Sequence, residues 1–126
     1  MKEHNGTITH LSWGNIQVSL KGKEYSFKDC KIWPEGATEW DWNQTGTSHE
    51  TGIQPDDIKE ILEHDVEVLV LSRGMDEQMG IAPETEDLLK TMGIQYQIHD
   101  TRNAVELFNS LVQNNKRAGG IFHSTC

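Results

Sequence analysis

Two cysteines in 126 residues, Cys30 and Cys126, are too few for a disulfide framework, and their spacing forms no CxxC knuckle. Both read as free thiols. Long apolar runs are also missing: the longest, Val68-Leu69-Val70-Leu71, is far short of the ~20 residues that cross a bilayer. The N-terminus lacks the basic-then-apolar order of a secretory signal. With Lys2 beside Glu3 and no arginine in the opening stretch, it does not read as a mitochondrial transit peptide either. The expectation is a cytoplasmic protein without membrane insertion. Positive charge is scarce, eleven Lys and Arg against twenty Asp and Glu, and the resulting net charge of -9 repels phosphate backbones, which excludes nucleic acid as a partner. The length suits one domain, 1–126, whose core needs neither disulfide nor metal to hold it.

What is present falls into two periods. Ile8, Leu11 and Trp13 lead to a turn signal at Gly14-Asn15, and Ile16, Val18 and Leu20 then alternate with polar residues. Lys21-Gly22-Lys23 reads as a second turn, after which Tyr25, Phe27, Cys30 and Ile32 continue the alternation to Pro34. Antiparallel strands account for 7–33. From Pro34 to Gln54 the pattern dissolves into a glycine- and threonine-rich stretch of about twenty residues, long enough to suspect of function. Trp33, Trp40 and Trp42 stand in or beside it, either plugging the core or forming a binding platform.

Beyond it the period becomes 3.6, interrupted by short apolar runs. Pro55, Asp56 and Asp57 open a helix carrying Ile58, Ile61 and Leu62; His64 falls near its end, where a partial positive charge suits the dipole. Val66 to Leu71 reads as a buried strand, Pro83 opens a second helix closed by Gly93, and Ile94, Tyr96 and Ile98 form another strand. Asp100 or Thr101 caps a third helix bearing Val105, Phe108, Leu111 and Val112, and Gly119 to Phe122 is the last strand. The order implies an α/β fold: antiparallel N-terminal strands leading into a mixed central sheet with parallel neighbours, covered by about three helices.

Three places hold chemistry. The tail His123-Ser124-Thr125-Cys126 offers an imidazole, two hydroxyls and a thiol; strand alternation turns His123 and Thr125 one way, Ser124 and Cys126 the other. No GxSxG elbow is present. His49-Glu50 opens like HExxH, but Ile53 stands where the second histidine belongs. Histidines 4, 10, 49, 64, 99 and 123 show no pair at i, i+4, so a metal centre would have to be assembled by tertiary contacts; neither metal nor cofactor is expected. The third place is the carboxyl edge of the buried strand, where Arg73, Gly74 and Met75 sit as ligands sit in open sheets. No phosphate-cradling glycine motif accompanies them, and Arg73 pairing an acidic neighbour is the plainer reading.

Leu11-Ser12-Trp13-Gly14, Lys28-Asp29-Cys30-Lys31-Ile32-Trp33-Pro34, Trp40-Asp41-Trp42, Thr45-Gly46-Thr47 with His49, Gly52-Ile53-Gln54-Pro55, Arg73-Gly74-Met75 and Gly119 to Cys126 run nearly end to end. Together they resemble the family of adipogenesis-associated Mth-domain-containing proteins, which is similar to archaeal and bacterial proteins of unknown activity and, more distantly, to a mitochondrial assembly factor of respiratory complex I. The resemblance implies a single cytoplasmic α/β domain with a regulatory role in fat-cell differentiation and metabolic signalling, and no catalytic residues. Two positions depart from it, Thr51 in place of proline and Ser72 in place of glycine; Ser72 would crowd an anion at the strand edge. The resulting expectation is a non-catalytic regulator or scaffold acting on a protein partner, its oligomeric state open. The alternatives are a small-molecule binder or enzyme at the Arg73 edge or the His123/Cys126 tail, and an assembly factor. Candidate binding residues are Trp40, Trp42, His49, Arg73, Gly74, Met75, His123 and Cys126.

Overall fold

A computed structural model describes residues 6–126; Lys2, Glu3 and His4 lie outside the described residues. The alternating N-terminal third forms β1 (Gly6–Ser12), β2 (Asn15–Leu20) and β3 (Lys23–Phe27), an antiparallel sheet in that order. The first turn falls on Trp13 and Gly14, one residue earlier than the Gly14-Asn15 signal, with Gly14 at φ 78°. The second uses Lys21 and Gly22, both at positive φ as a tight hairpin of matching twist requires.

A second sheet has the order β5-β4-β8-β6-β7, built from β4 (Asp29–Trp33), β5 (Gly36–Glu39), β6 (Val68–Ser72), β7 (Gln95–His99) and β8 (Ala118–His123). β8 lies parallel to β6 and antiparallel to β4, and β7 lies parallel to β6, which makes the sheet mixed with parallel neighbours. β5 corrects the reading of 34–54 as loop throughout. It is a four-residue edge strand, Gly-Ala-Thr-Glu, too short and too weakly apolar to carry a period.

Helices α1 (Pro55–Leu62), α2 (Pro83–Met92) and α3 (Thr101–Gln113) begin and end where punctuation places them. Proline opens the first two, Gly93 closes α2 at φ 70°, and the Asp100 carboxylate caps α3 by accepting from Asn103 N. The alternation of β6 sorts the interior into two cores. Val68 and Val70 join Ile8, Ile16, Val18, Phe108 and Phe122 beneath α3 and the small sheet; Leu69 and Leu71 join Trp40, Ile53, Ile58, Ile61, Leu89 and Ile121 on the side of α1 and α2. Gly119 lets α1 approach, since a Cβ there would stand 2.4 Å from Ile61 Cγ2. His64 does not act through the helix dipole alone: its ring stacks on Trp33 at 4.7 Å and an interplanar angle of 7°.

Candidate functional site

Register creates the first contact of the site. β4 and β8 pair Asp29 directly with His123, so both side chains leave the same face, towards the α1 core. His123 is fully buried and Asp29 is 5% exposed. Asp29 Oδ1 accepts from Ser124 N at 2.8 Å and lies 3.1 Å from His123 Nδ1. Facing a carboxylate oxygen, His123 donates from Nδ1, which leaves Nε2 as the outer nitrogen of the ring. That nitrogen faces His49 Nε2 at 3.3 Å and Thr125 Oγ1 at 3.4 Å. Thr125 lies beyond the end of β8, so its approach to the His123 ring comes from the path of the tail and not from the strand alternation expected for residues 123–126. Ser72 Oγ accepts from His123 N at 2.8 Å, and Thr101 Oγ1 donates to His123 O at 2.6 Å, so the backbone of this histidine is fixed as firmly as its ring.

His49 reaches the site from a loop anchored on Asp57. This buried carboxylate accepts from Trp40 Nε1 at 2.9 Å, from Gln54 N at 2.8 Å, and from the hydroxyls of Thr45 and Thr47. One acidic residue in the first turn of α1 therefore ties down both ends of the loop and caps the helix. Trp40, 3% exposed, stands behind the site as part of the core. Trp42 is half-buried and forms one wall, its ring 4.6 Å from that of His123 and 5.3 Å from that of His49. Its indole Nε1 is buried without a hydrogen-bond acceptor among the described residues. A polar cleft of about 400 Å³ opens beside this wall, lined by Lys28, Asp29, Glu39, Trp40, Asp41, Trp42 and Asn43.

The chain's own C-terminal residues cover part of the strand edge, and a cleft of about 290 Å³ lined by Arg73, Glu77, Ile98, His99, Asp100 and Asn103 stays open beside them. Met75 N donates to Thr125 O at 2.7 Å, and Asp76 N and Gln78 N donate to Cys126 O at 3.1 and 2.9 Å. Gly74 sits at φ 98°, where a Cβ would lie 2.3 Å from the Cys126 carbonyl carbon and 2.8 Å from His123 Cδ2. Arg73 spends its guanidinium on its own loop, donating to Met79 O and Glu77 O at 2.9 Å each and pairing with Glu77 Oε2 at 3.6 Å. The acidic-neighbour reading of Arg73 thus describes its position.

Of the sequence candidates, Trp42, His49 and His123 converge, and Arg73, Gly74, Met75 and Cys126 form a second group that meets the first at Gly74. Asp29, Asp57 and Thr125 were not among the candidates. Asp29 becomes visible only once β4 is known to lie against β8, and Asp57 only once the loop folds back on α1. Cys30, fully buried on the opposite face of β4, has its thiol pushed up by burial and then by the neighbouring Asp29 carboxylate.

Fold and site together define a mixed α/β domain of the Mth938-like type, carrying a chain of buried Asp29, buried His123 and half-buried His49 beside a tryptophan wall. The chain belongs to the family of proteins of unknown function DUF498/DUF598, whose model matches residues 8–123. Among solved structures it is similar to the conserved hypothetical protein PH1505 from Pyrococcus horikoshii OT3, at 25% identity and a TM-score of 0.76 over 95% of this chain and 99% of that one. An outer membrane protein from Bartonella henselae matches at 18% identity and a TM-score of 0.75, with both chains covered completely. A Mth938-like domain from Bordetella pertussis, solved by NMR in solution, matches at 20% identity and a TM-score of 0.62 over 94% of this chain and 85% of that one. Among the described residues no helix is long and apolar enough to cross a membrane.

Proposed function

We propose that this domain is a non-catalytic, cytoplasmic regulatory protein that docks a protein partner on its three-stranded sheet. One observation carries the reading: Trp13, in the β1–β2 turn, is 57% exposed and Tyr25, on β3, is 42% exposed. Val18, paired with Tyr25, is fully buried and Phe27 packs against the core, so the cover over this face ends along β3 and leaves Tyr25 exposed on an edge strand. The edge is also basic. Lys21, Lys23 and Lys28 oppose Glu24 alone between Gly6 and Lys28, on a chain of net charge -9. Exposed aromatics beside like charges suit an acidic, partly apolar segment of another protein, held by an aromatic anchor and steered by charge.

The role in fat-cell differentiation and metabolic signalling implied by the family resemblance is consistent with a docking protein of this kind. The test is affinity capture from cell extract with the wild-type chain and a Trp13→Ser/Tyr25→Ser double variant. The expected result is loss of the wild-type partner set with an unchanged melting temperature. Equal capture by both proteins overturns the reading.

A further inference from the structure

We propose that the cleft beside Trp42 binds the primary ammonium group of an alkyl amine, with Asp29 as the carboxylate that receives it. The two oxygens of Asp29 are used unequally. Oδ1 accepts from Ser124 N at 2.8 Å and from His123 Nδ1 at 3.1 Å, whereas Oδ2 accepts from no donor among the described residues. The side chain is 7% exposed, and Asp29 lines the cleft of about 400 Å³, so the exposure it keeps opens into that cleft. Oδ2 is not sealed in: among the described residues the side-chain atoms both fully buried and without a hydrogen-bond partner are Glu35 Oε2 and Trp42 Nε1. A carboxylate oxygen withdrawn from bulk water, and served by no protein donor, is an acceptor for a donor that arrives from outside.

The rest of the lining selects a cation. Glu39 and Asp41 stand exposed in the same cleft, so three carboxylates face one ammonium, that of Lys28. This surplus attracts cations and repels anions. Among the described residues no group of three His, Cys, Asp and Glu is placed to hold a metal ion, which separates the acidic groups too widely for a bare ion to gather them. An organic ammonium needs only one of them in contact: it donates to Asp29 Oδ2 while Glu39 and Asp41 act through charge. Half-buried Trp42 gives the alkyl stem an apolar wall and the cation an aromatic neighbour. The receiving side is held in place beforehand, Asp29 by its two bonds at Oδ1 and Trp40 by its indole N–H on Asp57, so little order is lost on binding. The same ammonium chemistry is offered by a free small amine and by a lysine side chain of another protein.

The test is titration of the full chain, followed by ¹⁵N–¹H correlation spectra at constant ionic strength and neutral pH, with putrescine, with a blocked Gly-Lys-Gly peptide and with butyrate. Saturable shifts of the Asp29, Asp41, Trp42 and Asn43 amides are expected with the amines and not with butyrate. Tighter binding of putrescine assigns the cleft to a free amine; tighter binding of the peptide assigns it to a lysine side chain. Asp29→Asn can keep its carbonyl oxygen on Ser124 N and His123 Nδ1 while its amide replaces the acceptor in the cleft, so amine affinity should fall by roughly ten- to a hundredfold. A Glu39→Gln/Asp41→Asn double variant alters exposed side chains and retains an oxygen to cap Asn43 N; it should melt as the wild type does and lose roughly three- to tenfold in affinity. The proposal is overturned if neither amine gives saturable shifts at up to roughly 10 mM, or if butyrate gives the same shifts. Wild-type amine affinity in the double variant, or in folded Asp29→Asn, overturns it equally.

Discussion

Replacing Asp57 by asparagine removes one oxygen from the most heavily used side chain in the loop, and the cost follows from the donors it serves. Oδ1 accepts from Trp40 Nε1 and Thr45; Oδ2 accepts from Gln54 N and Thr47. Asparagine keeps one acceptor and turns an amide against two donors. The Thr47 hydroxyl can rotate away, but the Gln54 N–H is backbone and cannot. Two hydrogen bonds to a charged group are lost at about 1.5 to 3 kcal/mol each, partly recovered by the rotating hydroxyl, so a destabilisation of about 3 to 5 kcal/mol is expected. For a domain of this length that corresponds to a fall in melting temperature of roughly 10 to 20 °C. Circular dichroism melts and urea titrations measure it. Asp56→Asn serves as the internal control: its carboxylate is 65% exposed and, among the described residues, pairs with Lys59 at 2.7 Å, so the change should cost under ~0.5 kcal/mol. If Asp57→Asn also stays within ~1 kcal/mol of wild type, the size of a single neutral hydrogen bond, Asp57 does not hold the loop and the reasoning fails.

Gly74→Ala should destabilise the fold and release the tail, because a left-handed φ of 98° and a Cβ 2.3 Å from the Cys126 carbonyl carbon leave no relaxed position; unchanged protection of the Met75, Asp76 and Gln78 amides from hydrogen exchange would contradict this. Native alkylation should label half-buried Cys126 and spare Cys30, whose thiol is buried and pushed up, with Cys30 reacting only after unfolding. Equal rapid labelling of both refutes the placement of β4. Acrylamide should quench Trp13 readily and Trp40 hardly at all, which single-tryptophan variants resolve.

The fold was legible wherever a period or a punctuating residue was strong. β2, α1, α2 and α3 follow directly from Ile16-Val18-Leu20, from Pro55 and Pro83, and from Asp100. β5 was not, because an edge strand of four small or polar residues has no core face to advertise. The site was half legible. His123 and His49 stood out as chemistry-bearing side chains, yet what joins them is the pairing of β4 with β8 and the folding of the loop onto Asp57, neither of which any local pattern encodes. Alternation groups Trp13 with the strand residues, whereas it stands 57% exposed in the β1–β2 turn. A turn residue and a strand residue look alike until the hairpin's register is fixed, and here it shifts by one.

β8 stands between β4 and β6 at the centre of the larger sheet, and it is made from residues 118–123. During synthesis, β4, β5, β6 and β7 leave the ribosome with the middle position of their sheet unfilled. β4 then presents one unpaired edge and β6 another until β8 emerges. Contacts closed over some ninety positions carry a large loop entropy and form slowly. The nascent chain therefore passes through an interval in which two open strand edges are available to other chains, the period when a chaperone that shields extended backbone would matter most.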